Sequence, residues 1–337
     1  MSGRRFLVTG GTGFIGSALV RALVQAGHTV RSLDNETRGR AGRLGDIAAD
    51  VEFVAGDIRD PAAVSAAVAG TDCVCHLAYV NGTEFFYSMP ETILDVAVRG
   101  MTNVIDACLR HGVGDLVLAS SSEVYQTPPV VPTDETAPLV VPDVLNPRYS
   151  YGGGKIISEL MTINYGRKHF RRAVIFRPHN VFGPDMGWEH VIPQFAVRMQ
   201  RLAEASRAGT IDFPIRGDGT ATRAFISIEN FTAGVVRVIE RGAHLGIYHI
   251  GTRSEISVAD LVRRVAACFG REARVAPGPP VPGETSRRCP DIGRLEALGF
   301  RPADDFDEAL ARTVRWYADH ASEAPAHLAG TAAKVVG

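Results

Sequence analysis

The chain has little cysteine, no long apolar run and no excess of either charge. Its five cysteines, Cys73, Cys75, Cys108, Cys268 and Cys289, are an odd number in 337 residues, and no pair has zinc-ligand spacing. That argues against a disulfide scaffold and gives no metal site. No stretch approaches the roughly 18 apolar residues of a membrane helix. About three apolar residues precede the first glycines, short of the roughly 7–15 that a signal peptide needs. The expectation is a cytoplasmic protein. Lys+Arg of 36 against Asp+Glu of 37 leaves a formal net charge of −1, so nothing in bulk attracts nucleic acid or an anionic membrane. What is present is ordinary globular material, 45% hydrophobic and 22% charged, enough for a real core.

Short apolar runs alternate with helical stretches through the first half. Strands are expected at 4–8, 29–33, 51–54, 72–76, 115–119 and 172–176, and helices at 14–26, 61–69, 90–111 and 149–168. Such alternation predicts an α/β fold, a doubly wound parallel sheet with helices on both faces. Strands without polar alternation suit a sheet covered on both sides. The Pro/Val-rich segment 126–147 is too long for a plain connector and is expected to be functional or lid-like. Beyond Pro178 the pattern turns irregular, which predicts a smaller α+β substrate-binding cap. The expected division is a dinucleotide-binding domain at 1–177 plus about 222–249 and a cap at 178–221 and 250–320. Residues 321–337, Ala/Gly-rich, are expected to form a flexible tail.

Thr9-Gly10-Gly11-Thr12-Gly13-Phe14-Ile15-Gly16 follows the first strand and opens a helix. Gly11, Gly13 and Gly16 satisfy G-x-G-x-x-G, the Rossmann fingerprint. It supplies a tight turn, close backbone approach to a pyrophosphate and tight helix–strand packing, with the helix N-terminus facing the phosphates. Asp34 ends the second strand, placed to accept hydrogen bonds from the adenine ribose hydroxyls. Its charge favours NAD over NADP, although Arg38, Arg40 and Arg43 follow in a loop able to take a phosphate.

Tyr151 and Lys155 lie i, i+4 on the helix after the long loop, so both side chains share one face. An ammonium beside a phenol stabilises phenolate, which predicts a lowered tyrosine pKa. Tyr151 then becomes a base for a sugar hydroxyl as hydride leaves its carbon, and Lys155 can hold the nicotinamide ribose. Ser120-Ser121-Ser122-Glu123 sits just past the fifth strand, at the carboxyl edge where parallel sheets place ligands.

These residues resemble the extended short-chain dehydrogenase/reductases, the NAD-dependent nucleotide-sugar epimerases and dehydratases. The Gly10/Gly13/Gly16 spelling carries the resemblance, together with Gly56-Asp57-Ile58-Arg59-Asp60, His76-Leu77-Ala78, Arg177-Pro178-His179-Asn180-Val181-Phe182-Gly183-Pro184, Gly217-Asp218-Gly219 with Arg223-Ala224-Phe225, and Arg288-Cys289-Pro290-Asp291. It spans about residues 4–318. It implies that Asp57 and Ile58 hold the adenine. Phe14, Ile15, Leu77, Ala78, Ser120 and Pro178 would line the cofactor, and Ser121 would hydrogen-bond the reacting oxygen. Ser122, Asn180, Trp188, His190, Phe213, Arg223 and Arg288 become candidates for a nucleoside-diphosphate sugar. His190 can act as an acid or base, or only as a contact.

Glu123 separates the outcomes. Glucose-type 4,6-dehydratases carry Asp-Glu where this chain has Ser122-Glu123, so an acid is missing from its usual place. A hydroxyl-then-Glu pair is also similar to UDP-glucuronate decarboxylases and GDP-mannose 4,6-dehydratases. The leading expectation is an NAD-dependent nucleotide-sugar 4-epimerase, with a decarboxylase or 4,6-dehydratase using Glu123 as the alternative. A homodimer through a four-helix bundle is also implied, on a second apolar stripe of Val96, Val98, Val104, Ile105 and Cys108 with Ile156, Ile157, Leu160 and Ile163.

Overall fold

A computed structural model describes residues 3–206, 208–279, 286–303 and 305–328. Seven parallel strands form the central sheet. They are β1 (Arg5–Thr9), β2 (Thr29–Asp34), β3 (Val51–Ala55), β4 (Cys73–His76), β5 (Asp115–Ala119), β6 (Arg172–Pro178) and the late strand Ile247–Ile250, in the order Ile247–Ile250, β6, β5, β4, β1, β2, β3. The expected doubly wound sheet is therefore the fold. Inner strands such as β5 are buried at every residue, because helices cover both faces.

The chain leaves β1 in one direction toward β2 and β3 and returns on its other side through β4. This switch point opens a crevice at the carboxyl ends of β1 and β4. Thr9 stitches it together. Its hydroxyl accepts from the backbone N–H groups of Leu77 and Ala78, both at 3.2 Å, and lies 2.8 Å from His76 Nδ1. Burial pushes His76 down to about 3, so the ring is neutral and accepts the Thr9 proton.

Several expectations need correction. The single helix at 90–111 is Pro90–Asp95, a π-turn Val96–Gly100 and Met101–His111. The π-turn lets Gly100 ride against Ile58, where a Cβ would come within 2.4 Å of the side chain. Two further elements arise, Ala41–Asp50 and Thr83–Ser88. The 126–147 segment is pinned at its middle: the Thr133 N–H donates to the Cys289 carbonyl at 2.9 Å, and the Asp291 N–H to the Thr133 carbonyl at 2.7 Å. It is an anchored strap rather than a free lid.

The later residues divide between the sheet and the cap. The Ile228–Arg241 helix and the turn carrying Ile292, Leu295 and Phe300 pack against the sheet that Ile247–Ile250 joins as an edge strand. Thr222–Ala224 instead joins a small sheet with Glu255–Ser257 and Arg287–Arg288. The cap core gathers Phe182, Ile192, Phe195, Phe213, Leu261, Val265, Leu310 and Tyr317. Residues 321–328, expected in the tail, form two short turns with Leu328 buried; 329–337 lie outside the described residues. No described helix is long and apolar enough to cross a membrane.

Candidate active site

Between sheet edge and cap lies a cavity of about 1350 Å³. One end is the glycine turn. Gly10 has φ +73°, and a Cβ there would lie 2.7 Å from the Ala78 nitrogen; a Cβ at Gly16 would lie 2.0 Å from the Gly10 carbonyl oxygen. The helix Phe14–Gln25 starts at Gly13 with no side-chain cap and no acid in its first turn. Its first N–H groups are thus left for an anion. These features fit the pyrophosphate of a dinucleotide.

Asp34 is buried and accepts from the Thr12 N–H at 3.0 Å and the Glu36 N–H at 2.8 Å. Each carboxylate oxygen keeps a second lone pair for a ribose hydroxyl. The three nearby arginines are engaged elsewhere. Arg43 pairs with Asp185 at 2.7 Å, Arg40 with the same carboxylate at 2.6 Å, and Arg38 with Glu189 at 3.6 Å. They bind the loop after β2 to the cap instead of waiting for a 2′-phosphate. Asp57 is held by Arg59 at 2.7 Å and by Asn35 at 2.9 Å. The Arg59 hydrogen bonds, the largest influence, keep its carboxyl down at about 2.

At the other end, β5 delivers Ser120–Glu123 and the Ser150–His169 helix delivers Tyr151 and Lys155. The Ser121 side chain acts on the Tyr151 phenol in the direction of a lower pKa, and its hydroxyl accepts from the Glu123 N–H at 3.1 Å. Phe86 stacks on the Tyr151 ring at 4.9 Å, and Tyr79 meets it edge-on at 5.1 Å. The expected lowering of the Tyr151 pKa is not found. Burial pushes the phenol up to about 12; Ser121 opposes this and the Glu123 charge adds to it. The reason is geometric. Lys155 Nζ donates to the Ala119 carbonyl at 2.7 Å and lies over the Tyr79 ring at 3.9 Å, but 6.0 Å from the centroid of the Tyr151 ring. Burial lowers Lys155 itself to about 7, opposed by Glu159. NAD, held in the glycine cradle, would supply the hydride acceptor.

Glu123 lines the same cavity. Its carboxylate accepts from Arg288 and lies 4.0 Å from Arg148. Phe14, Ile15, Ile58, Leu77, Ala78, Ser120, Ser122, Pro178, Asn180, Trp188, His190 and Arg223 line it too. Asn180, at φ +42°, donates through Nδ2 to the Ala224 carbonyl at 3.0 Å. Trp188 packs edge-on against Tyr317 at 5.0 Å. Burial is the largest influence on His190 and lowers it, with Glu189 and Arg38 acting in opposite directions. Phe213 is the exception. It is fully buried in the cap core, edge-on to Phe195, because its strand alternates exposed and buried residues and Phe213 falls on the inward side. Ile215 and Arg216 reach the cavity instead. Phe86, Arg148 and Trp316 were not singled out from sequence. Arg148 alone left a signal there, three residues before Tyr151.

The fold and this pairing of a dinucleotide cradle with Ser121, Tyr151 and Lys155 place the chain in the NAD dependent epimerase/dehydratase family, whose profile matches residues 6–251. NAD is its cofactor. A dTDP-glucose 4,6-dehydratase from Streptomyces antibioticus is 33% identical over 325 residues, covering 93% of this chain and 92% of that protein. Among solved structures, a dTDP-glucose 4,6-dehydratase from Streptomyces venezuelae with NAD superposes with a TM-score of 0.81 at 29% identity, covering 96% of this chain and 99% of the other. A Thermus thermophilus UDP-glucose 4-epimerase with NAD gives 0.79 at 26%, covering 93% and 98%.

Replacing Tyr151 by Phe tests its expected role as proton acceptor and leaves the cradle residues in place. Turnover is expected to fall by at least ~100-fold with NAD still bound, read by product assay and by the cofactor content of the purified variant. Turnover like that of wild type would remove Tyr151 from the chemistry.

Proposed function

We propose that the chain oxidises a nucleoside-diphosphate hexose at C4 and then works at C5 through Glu123, giving the 4,6-dehydratase outcome. The observation that carries this is the placement of Glu123. Its carboxylate lines the cavity beside Ser121 and Tyr151 and is paired there with Arg288, which puts a proton-transfer group on the sugar side of the hydride pair. Arg216, Arg223 and Arg288 along the cavity suit a pyrophosphate and its sugar. The names of the relatives agree with this substrate class.

Tyr151 takes the C4 hydroxyl proton, with Ser121 holding that oxygen, as hydride leaves C4. The C4 ketone makes the C5 proton acidic. Glu123 removes it, and the C6–O bond breaks as C5=C6 forms. The leaving hydroxide takes the proton from Glu123 and departs as water. Hydride then returns to C6 and a proton to C5. One carboxylate has to serve as base and then acid on this route, because Ser122 supplies no second acid.

The 4-epimerase expected from sequence is the second reading, and Ser122 favours it, since elimination there has no separate acid. In that case hydride returns to the other face of C4. Mass spectrometry after incubation with a panel of nucleotide hexoses and uronates separates the outcomes. Loss of 18 mass units is expected, and Glu123→Gln should stop it while bound NAD is still reduced. Unchanged mass with an inverted C4 gives the epimerase, and loss of 44 gives decarboxylation of a uronate.

A homodimer belongs to the same reading. Of the anticipated stripe, Val96, Val104, Ile105 and Cys108 face the core, while Val98, Ile157 and Leu160 are exposed and are joined by Leu94 and Tyr165. This apolar face lies on the two helical runs implied in the four-helix bundle, and pairing two copies would bury it. Light scattering should give twice 36.1 kDa, and Leu160→Glu should halve it. A wild-type monomer at micromolar concentration would contradict the dimer.

A further inference from the structure

Behind Glu123 a buried polar chain joins two segments that are far apart in sequence. Tyr125 follows Glu123 by two residues. Its hydroxyl lies 2.6 Å from His249 Nε2 and accepts from Arg177 Nη1. His249 Nδ1 lies 3.0 Å from the Asp291 carbonyl oxygen, three residues beyond Arg288. The carbonyl can only accept, so Nδ1 carries the proton and Nε2 must accept from Tyr125. Donation therefore runs one way, from Arg177 to Tyr125 to His249 to Asp291. A protonated ring would turn Nε2 into a donor and leave the Tyr125 hydroxyl proton without this acceptor.

The surroundings hold the ring neutral. Burial is the main cause and pushes it down to about 4, with the Arg177 charge adding to this. Arg177 on β6 and His179 just past its end face it, His179 edge-on at 4.5 Å. Glu135, on the strap, accepts from the His249 backbone N–H at 3.0 Å and pairs with Arg294 at 3.4 Å. Asp134 and Asp291 complete the charged groups around it.

We propose that Tyr125 and His249 are positioning residues. They hold the Ser120–Glu123 turn and the Arg287–Asp291 segment in one register, so that Arg288 meets Glu123. The inference rests on the proposed use of Glu123 at C5, but its geometry can be tested without activity. The sequence separation of 165 between Glu123 and Arg288 leaves their meeting dependent on tertiary bonds, and this hydrogen-bonded chain links both flanks through one imidazole.

The test compares Tyr125→Phe, His249→Phe and His249→Gln in the full-length chain. Gln keeps an oxygen that can accept from Tyr125. Both Phe variants should lower the rate of water loss about 10- to 100-fold, the scale of a small misplacement of a reacting group. The rate of bound-NAD reduction at saturating substrate should hold, while KM rises as Arg288 shifts from the cavity wall. The double variant should be no worse than either single, Gln should recover most of the rate, and in a Glu123→Gln background none of the changes should matter further. Crystal structures of Tyr125→Phe and, should that chain not fold, His249→Phe should show Arg288 moved away from Glu123. An intact Arg288–Glu123 contact in these variants overturns the proposal. A wild-type chain whose NAD is reduced by no nucleotide sugar refutes the functional reading instead, and the crystal structures still decide the positioning.

Discussion

The ion pair between Glu159 and Arg177 is the constraint on which the site depends. Both side chains are almost wholly buried, 4% and 2% exposed, and joined at 2.6 and 2.9 Å. Removing two such charges from water costs several kcal/mol each. The cost is offset by further hydrogen bonds to both partners. Ser120 donates to Glu159, and Arg177 donates to the Tyr125 hydroxyl and, at 3.1 Å, to the Glu135 carbonyl. The pair fixes the Ser150–His169 helix to β6 and to the end of β5. Tyr151 and Lys155 are thereby set opposite Ser121, with Glu159 one turn beyond Lys155, where its charge partly offsets the effect of burial on the ammonium.

That arrangement makes the site electrostatically divided. Tyr151 and Lys155 sit in a dry pocket walled by Tyr79 and Phe86, where burial opposes charge on either. Glu123 stands at the wetter side against Arg288, its side chain 24% exposed. The proposed hydride chemistry belongs to the first group and the proposed proton chemistry at C5 to the second. The cap closes the adenosine end through Asp185 and Glu189, which engage the arginines after β2. The cofactor cradle is thus tied to the same lobe that carries the sugar-facing residues.

Much of this was legible in the sequence because it is local. The glycine turn, the buried strands and the i, i+4 spacing of Tyr151 and Lys155 each depend on a few neighbouring residues. The misses are long-range. Phe213 was placed beside the substrate because its segment was known but not its inward register. Tyr151 was expected to be acidic because sequence spacing shows that Lys155 shares its face, not that the ammonium turns toward Ala119 and Tyr79. The 126–147 segment read as a lid because its bonds to Cys289 and Asp291 cross some 150 residues. The contact of Glu123 with Arg288, which moves the functional emphasis from C4 alone to C5, lies beyond any local pattern.

The central claim is that hydride taken from the sugar stays in the protein and returns to the same molecule. A nucleoside-diphosphate hexose carrying deuterium at C4, turned over without added NAD or NADH, tests this most directly. The account predicts a product that keeps the full label, now at C6. Loss of the label, or turnover only with a stoichiometric supply of NADH, would contradict it.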